Sequence, residues 1–244
     1  MRAAEIRERL QTLGLSCGES LAEQLECYLR LLLEWNQRMD LTAVTEEPEI
    51  LERHFADSLT ALQVPGMIPE TGSLIDVGTG AGFPGMVLAL ARPDLRVTLL
   101  DALGKRLDFL AAVAEAVGAR NVTLVHARAE DAARQPAHRG QYDRAAARAV
   151  AQLPVLLEYL LPYVRIGGAA LCWKGPSVLQ ELEAGRRAAH LLGGSLQEPV
   201  RTELRGLAWD HLILPVEKKQ KTPSAYPRKA GTPNRQPLGV KGSE

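Results

Sequence analysis

The spacing of apolar residues changes character near Ser73. Before it the period is helical. In "ESLAEQLECYLRLLLEWNQRM", Leu21, Leu25, Tyr28, Leu29, Leu32 and Trp35 fall at three- and four-residue steps, which makes one apolar stripe on a helix. Ser20, with Glu23 three residues on, predicts a capping box at its start. A further helix is expected from Glu46 to Gln63, capped by Thr45, with Pro48 tolerated in its first turn. "VPGMIPETGS" (64–73) holds two prolines and two glycines and reads as a joint.

From Ser73 on, short β-branched runs alternate with helical stretches. "LIDV", "RVTLLD" and "VTLVHA" read as strands, with helices in "GMVLALAR" and "KRLDFLAAVAEAVG" between them. A weaker strand ("YDRAAARAV"), a helix ("LPVLLEYLLPYV"), a strand ("GGAALCWKG") and a helix over 176–192 continue the order. Two more strands are expected near 195–204 and 207–216, joined by a hairpin at Arg205-Gly206, so that the last strand runs antiparallel. The alternation predicts an α/β fold with a mostly parallel sheet covered by helices on both faces. The expected division is a helical extension over 1–72, an α/β domain over 73–216 and a tail over 217–244.

Composition narrows the class. With 46% hydrophobic and 24% charged residues, the chain is far from a disordered composition. It has no apolar run of membrane-spanning length, and its opening mixes acids with bases unlike a signal peptide, so a cytoplasmic protein is expected. Cys17, Cys27 and Cys172 lack C-x-x-C spacing, which predicts neither a disulfide framework nor a zinc site. The formal net charge of zero hides an asymmetry. Residues 217–244 carry seven Lys or Arg against two Glu, a net of +5, whereas residues 1–72 carry six Arg against thirteen acids, a net of −7. Only the back end offers a surface for polyanions.

The chemistry centres on "LIDVGTGAGFPG" (74–85). Read from Gly80, it spells G-x-G-x-x-G, the dinucleotide fingerprint. Aligned on the strand end it is D-x-G-x-G-x-G, with Asp76 two residues before Gly78. An acid there is a poor neighbour for a pyrophosphate and suits a ligand that carries a positive group. Asp101 ends the next strand, placed to accept from ribose hydroxyls. S-adenosylmethionine fits both acids: Asp101 takes the ribose, Asp76 positions the amino-acid end directly or through water, and Gly78, Gly80 and Gly82 allow close approach. Ala129 and Glu130, in "HARAED", fall where such folds meet the adenine. A plain tight turn and a nicotinamide or flavin site stay open at this point, as does an RNA-binding module with a vestigial loop.

With "LLDALGKRLDFL", "AARAVA", "WKG", "WNQRMDLTAVTE" (35–46), "RHFADSL" (53–59) and the tail "YPRKAGTPNRQPL" also in view, the chain resembles the bacterial methyltransferases of guanine N7 in 16S ribosomal RNA, also called glucose-inhibited division protein B. The likeness covers nearly the whole chain. Asp40, where the family more often has Asn, and the charged strand opening Tyr142-Asp143-Arg144 depart from it. The resemblance implies a class I methyltransferase fold, Rossmann-like, with a seven-stranded sheet and an N-terminal helical extension. It implies S-adenosyl-L-methionine as donor and a guanine in the helix 18 loop of 16S rRNA as acceptor; the expected substrate is that RNA, naked or within a 30S subunit or assembly intermediate, and the expected protein state a monomer. Family cofactor contacts carry onto Gly78, Phe83, Asp101, Ala102, Leu103, Ala129, Glu130 and Arg148.

Guanine N7 has a free in-plane lone pair and loses no proton on methylation, so positioning is the main requirement. Arg148 and Lys174 are expected to hold the RNA and orient the base, with O6 a natural target for either cation. In the tail, Lys218, Lys219, Lys221, Arg228, Lys229 and Arg235 are expected to contact phosphate, and Tyr226 to stack on a base. His54 and Asp57, at i and i+3, read as a capping or packing pair. The other histidines show no ligand spacing, Trp35, Trp173 and Trp209 read as core or interface residues, and Cys172 as an inert buried thiol.

Overall fold

The computed structural model describes residues 1–148 and 150–240; Lys241 of the basic tail lies outside the described residues. Helices α1 (Ala3–Thr12) and α2 (Glu19–Asn36) precede a helical rod. The rod begins as α3 (Glu47–Ile50), widens to a π turn over Leu51–Ala56, and continues as α4 (Asp57–Leu59) and a 3-10 turn over Thr60–Gln63. One regular helix was the expectation over 46–63; a π turn inside a helix is uncommon and is frequently found at functional sites. The caps also differ. Extended backbone at Gly18 and Glu46 starts the helices, so Ser20 lies inside α2 without a capping box and Thr45 lies before the cap.

The sheet consists of β1 (Gly72–Val77), β2 (Leu95–Asp101), β3 (Val122–His126), β4 (Tyr142–Arg148), β5 (Val164–Lys174), β6 (Gly194–Leu196), β7 (Val200–Arg201) and β8 (Leu212–Lys218). Its order is β3-β2-β1-β4-β5-β8-β6, with β7 also paired to β8. Strands β1 to β5 run parallel and β8 antiparallel. Between them lie α5 (Gly85–Ala91), α6 (Gly104–Ala116), α7 (Ala129–Ala132), α8 (Leu153–Leu160) and α9 (Leu182–Leu191). The expected strand over 195–204 is two short pieces, and no tight hairpin joins it to β8. Residues 202–211 leave the sheet because Leu204 is buried in the core of the N-terminal helices and the Arg205 amide donates to Leu13 O (3.0 Å).

Alternation along β1 divides two cores. Leu74 faces a core shared with α1, α2 and the rod, including Tyr28, Phe55 and Phe109. Ile75 and Val77 face a core built on α8 and α9. The N-terminal helices therefore complete one face of the sheet. The charges of Asp143 and Arg144 lock the joint: Ser73 N donates to Asp143 Oδ2 (2.8 Å), and Arg144 donates to Met67 O (2.7 Å) and Gly66 O (2.8 Å). The tail is folded too. Its carbonyls accept from Arg139 at Tyr226 O (2.9 Å) and Thr222 O (3.0 Å), and it carries a short helix α10 (Thr232–Arg235).

Candidate functional site

The chain runs outward from β1 to β3 and returns to the other side of β1 at β4, which opens a crevice at the carboxyl ends of β1 and β4. Ligands of open α/β sheets bind at such a switch point. A cavity of about 570 Å³ lies there, and Gly78, Gly80, Phe83, Asp101, Ala102, Ala129, Glu130 and Arg148 line it. Asp76, Gly82 and Leu103 do not.

Asp76 is fully buried beneath the glycine loop. Its Oδ2 accepts from Thr79 Oγ1 (2.7 Å) and Gly85 N (2.9 Å), while Oδ1 is buried without a hydrogen-bond partner. Burial pushes its carboxyl up to about 6. Of the two expected roles, direct contact or action through water, direct contact does not fit this burial, and Asp76 is an anchor under the loop. Gly82 packs inward against Tyr28 and Leu110, where a side chain has no room. Leu103 is 55% exposed and contributes its amide, which donates to Asp101 Oδ1 (2.9 Å).

The loop amides turn inward. Gly78 N and Thr79 N donate to Leu100 O, Gly82 N and Phe83 N to Thr79 O, and Gly80 N to Asp101 Oδ2 (2.9 Å). A diphosphate loop needs such amides free. This one instead shows the cavity an open backbone at Gly80, where an added Cβ would meet nothing closer than 4.0 Å, beside the buried carboxylate of Asp101. Acceptors rather than donors suit a ribose and an ammonium group. The residues present therefore fit S-adenosylmethionine.

At the far end, Glu130 Oε1 accepts from the Gly231 amide (3.2 Å). Gly231 and Asn234 of the tail, with Tyr159 of α8, line the cavity beside Ala129 and Glu130. No local pattern marks these three for the site: Gly231 and Asn234 arrive with the docked tail, and Tyr159 projects from α8. Arg228 fastens that tail to Glu158, a fully buried carboxylate, through Nε (3.0 Å) and Nη2 (2.7 Å).

Arg148 ends β4 inside a cage. Its Nη1 donates to Arg53 O (2.7 Å) and Asp57 Oδ2 (3.0 Å), its Nη2 donates to His54 Nδ1 (3.1 Å), and its guanidinium lies 5.1 Å from the centre of the Phe83 ring. Since Nδ1 of His54 accepts, Nε2 carries the proton and donates to Thr42 Oγ1 (2.8 Å). Burial, reinforced by Arg148, lowers His54 to about 4, so the ring stays neutral. The second oxygen of Asp57 accepts from His211 Nδ1 (3.0 Å), and that hydrogen bond raises His211 above its usual range. Asn36 folds the preceding loop: its Oδ1 accepts from Leu41 N (2.9 Å) and Thr42 N (3.0 Å), which sets Thr42 against His54. The spacing of His54 and Asp57 was visible in the sequence, but their common partner 91 to 94 residues away was not.

A second cavity of about 660 Å³ adjoins the first, and the two share His54 and Arg148 in their walls. Sheet register brings its parts together, pairing Arg148 with Trp173 and Trp173 with Ile213. Lys174 lines this cavity, with Nζ donating to Ala151 O (2.9 Å) and paired with Glu181 (3.3 Å). Of the tail residues expected on RNA, Lys219, Lys221, Lys229 and Arg235 are exposed, and Tyr226 is half-buried. Lys218 is 3% exposed; its ammonium bonds to Leu161 O and Thr222 Oγ1, and burial lowers it to about 7. It points into the fold, so the expectation of a phosphate contact is corrected for this residue. Arg228 is likewise occupied by Glu158. Among the described residues no cluster of His, Cys, Asp or Glu has metal-binding geometry, and no helix is long and apolar enough to cross a membrane.

The sheet order, the antiparallel β8 and the crevice define a class I S-adenosylmethionine-dependent methyltransferase. Solved structures share this fold: M. jannaschii TYW2 in complex with AdoMet matches at TM-score 0.55 and 15% identity, over 74% of this chain and 81% of that one. A mutant 16S rRNA (adenine(1408)-N(1))-methyltransferase from Catenulisporales acidiphilia gives TM-score 0.52 at 17% identity, over 68% and 91%. A family model, GidB, described as rRNA small subunit methyltransferase G, matches residues 21–204. The protein named ribosomal RNA small subunit methyltransferase G from Alkaliphilus metalliredigens (strain QYMF) is 45% identical over 96% of this chain and 97% of its own length. That from Leuconostoc citreum (strain KM20) is 44% identical over 94% and 96%. The chain belongs to the rRNA small subunit methyltransferase G family.

Proposed function

We propose that the chain transfers a methyl group from S-adenosylmethionine to N7 of a guanine in 16S rRNA, in the helix 18 loop near the decoding site. Family membership supports the enzyme class, the donor and the ribosomal RNA acceptor. The observation that carries the rest is the pair of cavities meeting at His54 and Arg148, one suited to the donor and one open to an acceptor base.

Bound S-adenosylmethionine supplies a methyl group activated by its sulfonium. The acceptor N7 carries its lone pair in the ring plane and would lose no proton on methylation, so no residue is needed as a base. The residues therefore work by placement. Asp101 and the glycine loop seat the donor, with Asp76 holding the loop from below. Asn234, Tyr159 and Glu130 close the adenine end. Arg148 is fixed between the cavities, with its charge balanced by Asp57, and neutral His54 adds no repulsion as positive charge grows on N7. Lys174 orients the base from the acceptor side. Lys219, Lys221, Lys229 and Arg235 supply phosphate contacts. The protein acts as a cytoplasmic monomer on naked 16S rRNA, a 30S subunit or an assembly intermediate.

The test is to incubate the protein with labelled S-adenosylmethionine and undermethylated 16S rRNA or 30S subunits, then map the modified nucleotide. Label on N7 of a helix 18 guanine is expected. Label elsewhere, or on another atom, contradicts the reading.

A further inference from the structure

The second cavity has a wall that the reaction as described leaves unused. Trp209 and Asp210 sit in the loop over 202–211 that departs from the sheet, and both line the cavity with His211 and Lys174. The loop is pinned at its base, where Thr202 N donates to His211 O (3.1 Å). Trp209 is half-buried; its indole Nε1 donates to Thr202 Oγ1 (3.2 Å) and its ring centre lies 4.3 Å from that of His211. Asp210 is exposed, and its carboxylate has no hydrogen bond or ion pair among the described residues. Both oxygens of the neighbouring Asp57 are occupied by Arg148 and His211. A carboxylate that makes no hydrogen bond and acts on His211 only through its charge, an aromatic ring and an ammonium group thus share one cavity that opens onto the donor site.

We infer that this cavity seats the acceptor guanine, turned out of its strand, with Trp209 as its stacking surface and Asp210 reading its Watson–Crick edge. The inference rests on the reading that guanine N7 is the acceptor. A cavity of about 660 Å³ is of the size that holds a nucleotide-sized ligand. Enzymes that modify a base extrude it and read the exposed edge by hydrogen bonds while stacking it on an aromatic ring. Guanine alone presents N1–H and the N2 amino group side by side, and one carboxylate accepts from both. Adenine would set its N1 lone pair against Asp210. With the N1/N2 edge on Asp210, N7 lies across the ring, toward His54 and Arg148 and so toward the donor. O6 then falls between them. Lys174 reaches it with the one ammonium hydrogen that Ala151 O and Glu181 leave over.

The experiment compares methyl transfer to the target RNA with guanine or inosine at the acceptor position, for the wild type, Asp210→Ala and Trp209→Leu. Inosine keeps N7, O6 and N1–H and lacks only the N2 amino group. For the wild type, inosine should lower kcat/KM by about tenfold to a hundredfold, the cost of a lost specific base contact. Asp210→Ala should lose a similar factor on guanine and then be indifferent to inosine. Trp209→Leu should raise KM for RNA, with Trp209→Phe restoring it. S-adenosylmethionine affinity, measured by calorimetry, should be unchanged in all three variants, which also reports that they fold. Wild-type discrimination retained in Asp210→Ala overturns the seat and leaves guanine methylation standing. Wild-type label on a different base or atom overturns both.

Discussion

At the scale of single residues, the site is a matter of where charge is placed and what balances it. Asp57 is the fulcrum. It is fully buried, and it holds Arg148 on one oxygen and His211 on the other. Removing one member of a buried ion pair leaves the other uncompensated. Asp57→Ala should therefore cost about 3–5 kcal/mol of stability, read from urea unfolding, and should slow methyl transfer as Arg148 loses its orientation. The two histidines carry opposite pH signatures. His54, held at about 4, binds its proton more readily in the unfolded chain, so its contribution is lost as pH falls from 6.5 toward 4. Asp76, raised from 3.8 to about 6, acts in the opposite sense over nearly the same window and masks it. His211, raised by Asp57, gives stability that is full below 6.5 and lost as pH rises through its folded value. The difference in melting temperature between wild type and His211→Gln should be largest near pH 6 and shrink toward pH 9. A difference that grows with pH would contradict the pairing.

Among the elements, the glycine loop and the strands around it were legible because their causes are local. The short β-branched runs, the acid before Gly78 and the acid ending β2 all sit within a few residues of the structure they specify. Gly85 shows how tight the arrangement is: an added Cβ would lie 2.6 Å from Asp76 Cβ, with Leu99 equally close. Gly85→Ala should destabilise by roughly 1–3 kcal/mol through overpacking and weaken cofactor binding as the loop shifts, both measurable by thermal melts with and without S-adenosylmethionine. The rod over 47–63 was less legible. Its apolar spacing fits a helix, but the π turn that delivers His54 and Asp57 to Arg148 answers to β4, far along the chain. The strand expected over 195–204 failed for a similar reason, because Leu204 finds its partners in the N-terminal core rather than in the sheet.

Over the whole molecule, the charge asymmetry was visible in the sequence, but its use was not. Six cations of the tail, Lys218, Lys219, Lys221, Arg228, Lys229 and Arg235, read as one RNA-binding run. The fold divides them. Lys218 is buried and Arg228 is spent on Glu158, so the tail serves partly as a strap that closes, with Gly231 and Asn234, the cavity proposed for the donor. Truncation after Val216 would therefore strip a wall of the proposed cofactor site along with any RNA contacts. Charge reversal at exposed positions separates the two. Lys229→Glu with Arg235→Glu should lower the salt dependence of RNA binding by about one unit of slope per residue, with S-adenosylmethionine affinity unaltered.

The central claim is that Arg148 sits between donor and acceptor and sets their alignment. Arg148→Ala, measured by single-turnover methyl transfer to RNA beside calorimetric binding of S-adenosylmethionine, tests it most directly. A fall of about a hundredfold or more in transfer rate, with cofactor affinity changed by only a few fold, is the predicted result. Equal losses in rate and affinity would place Arg148 in the donor site alone and contradict the account.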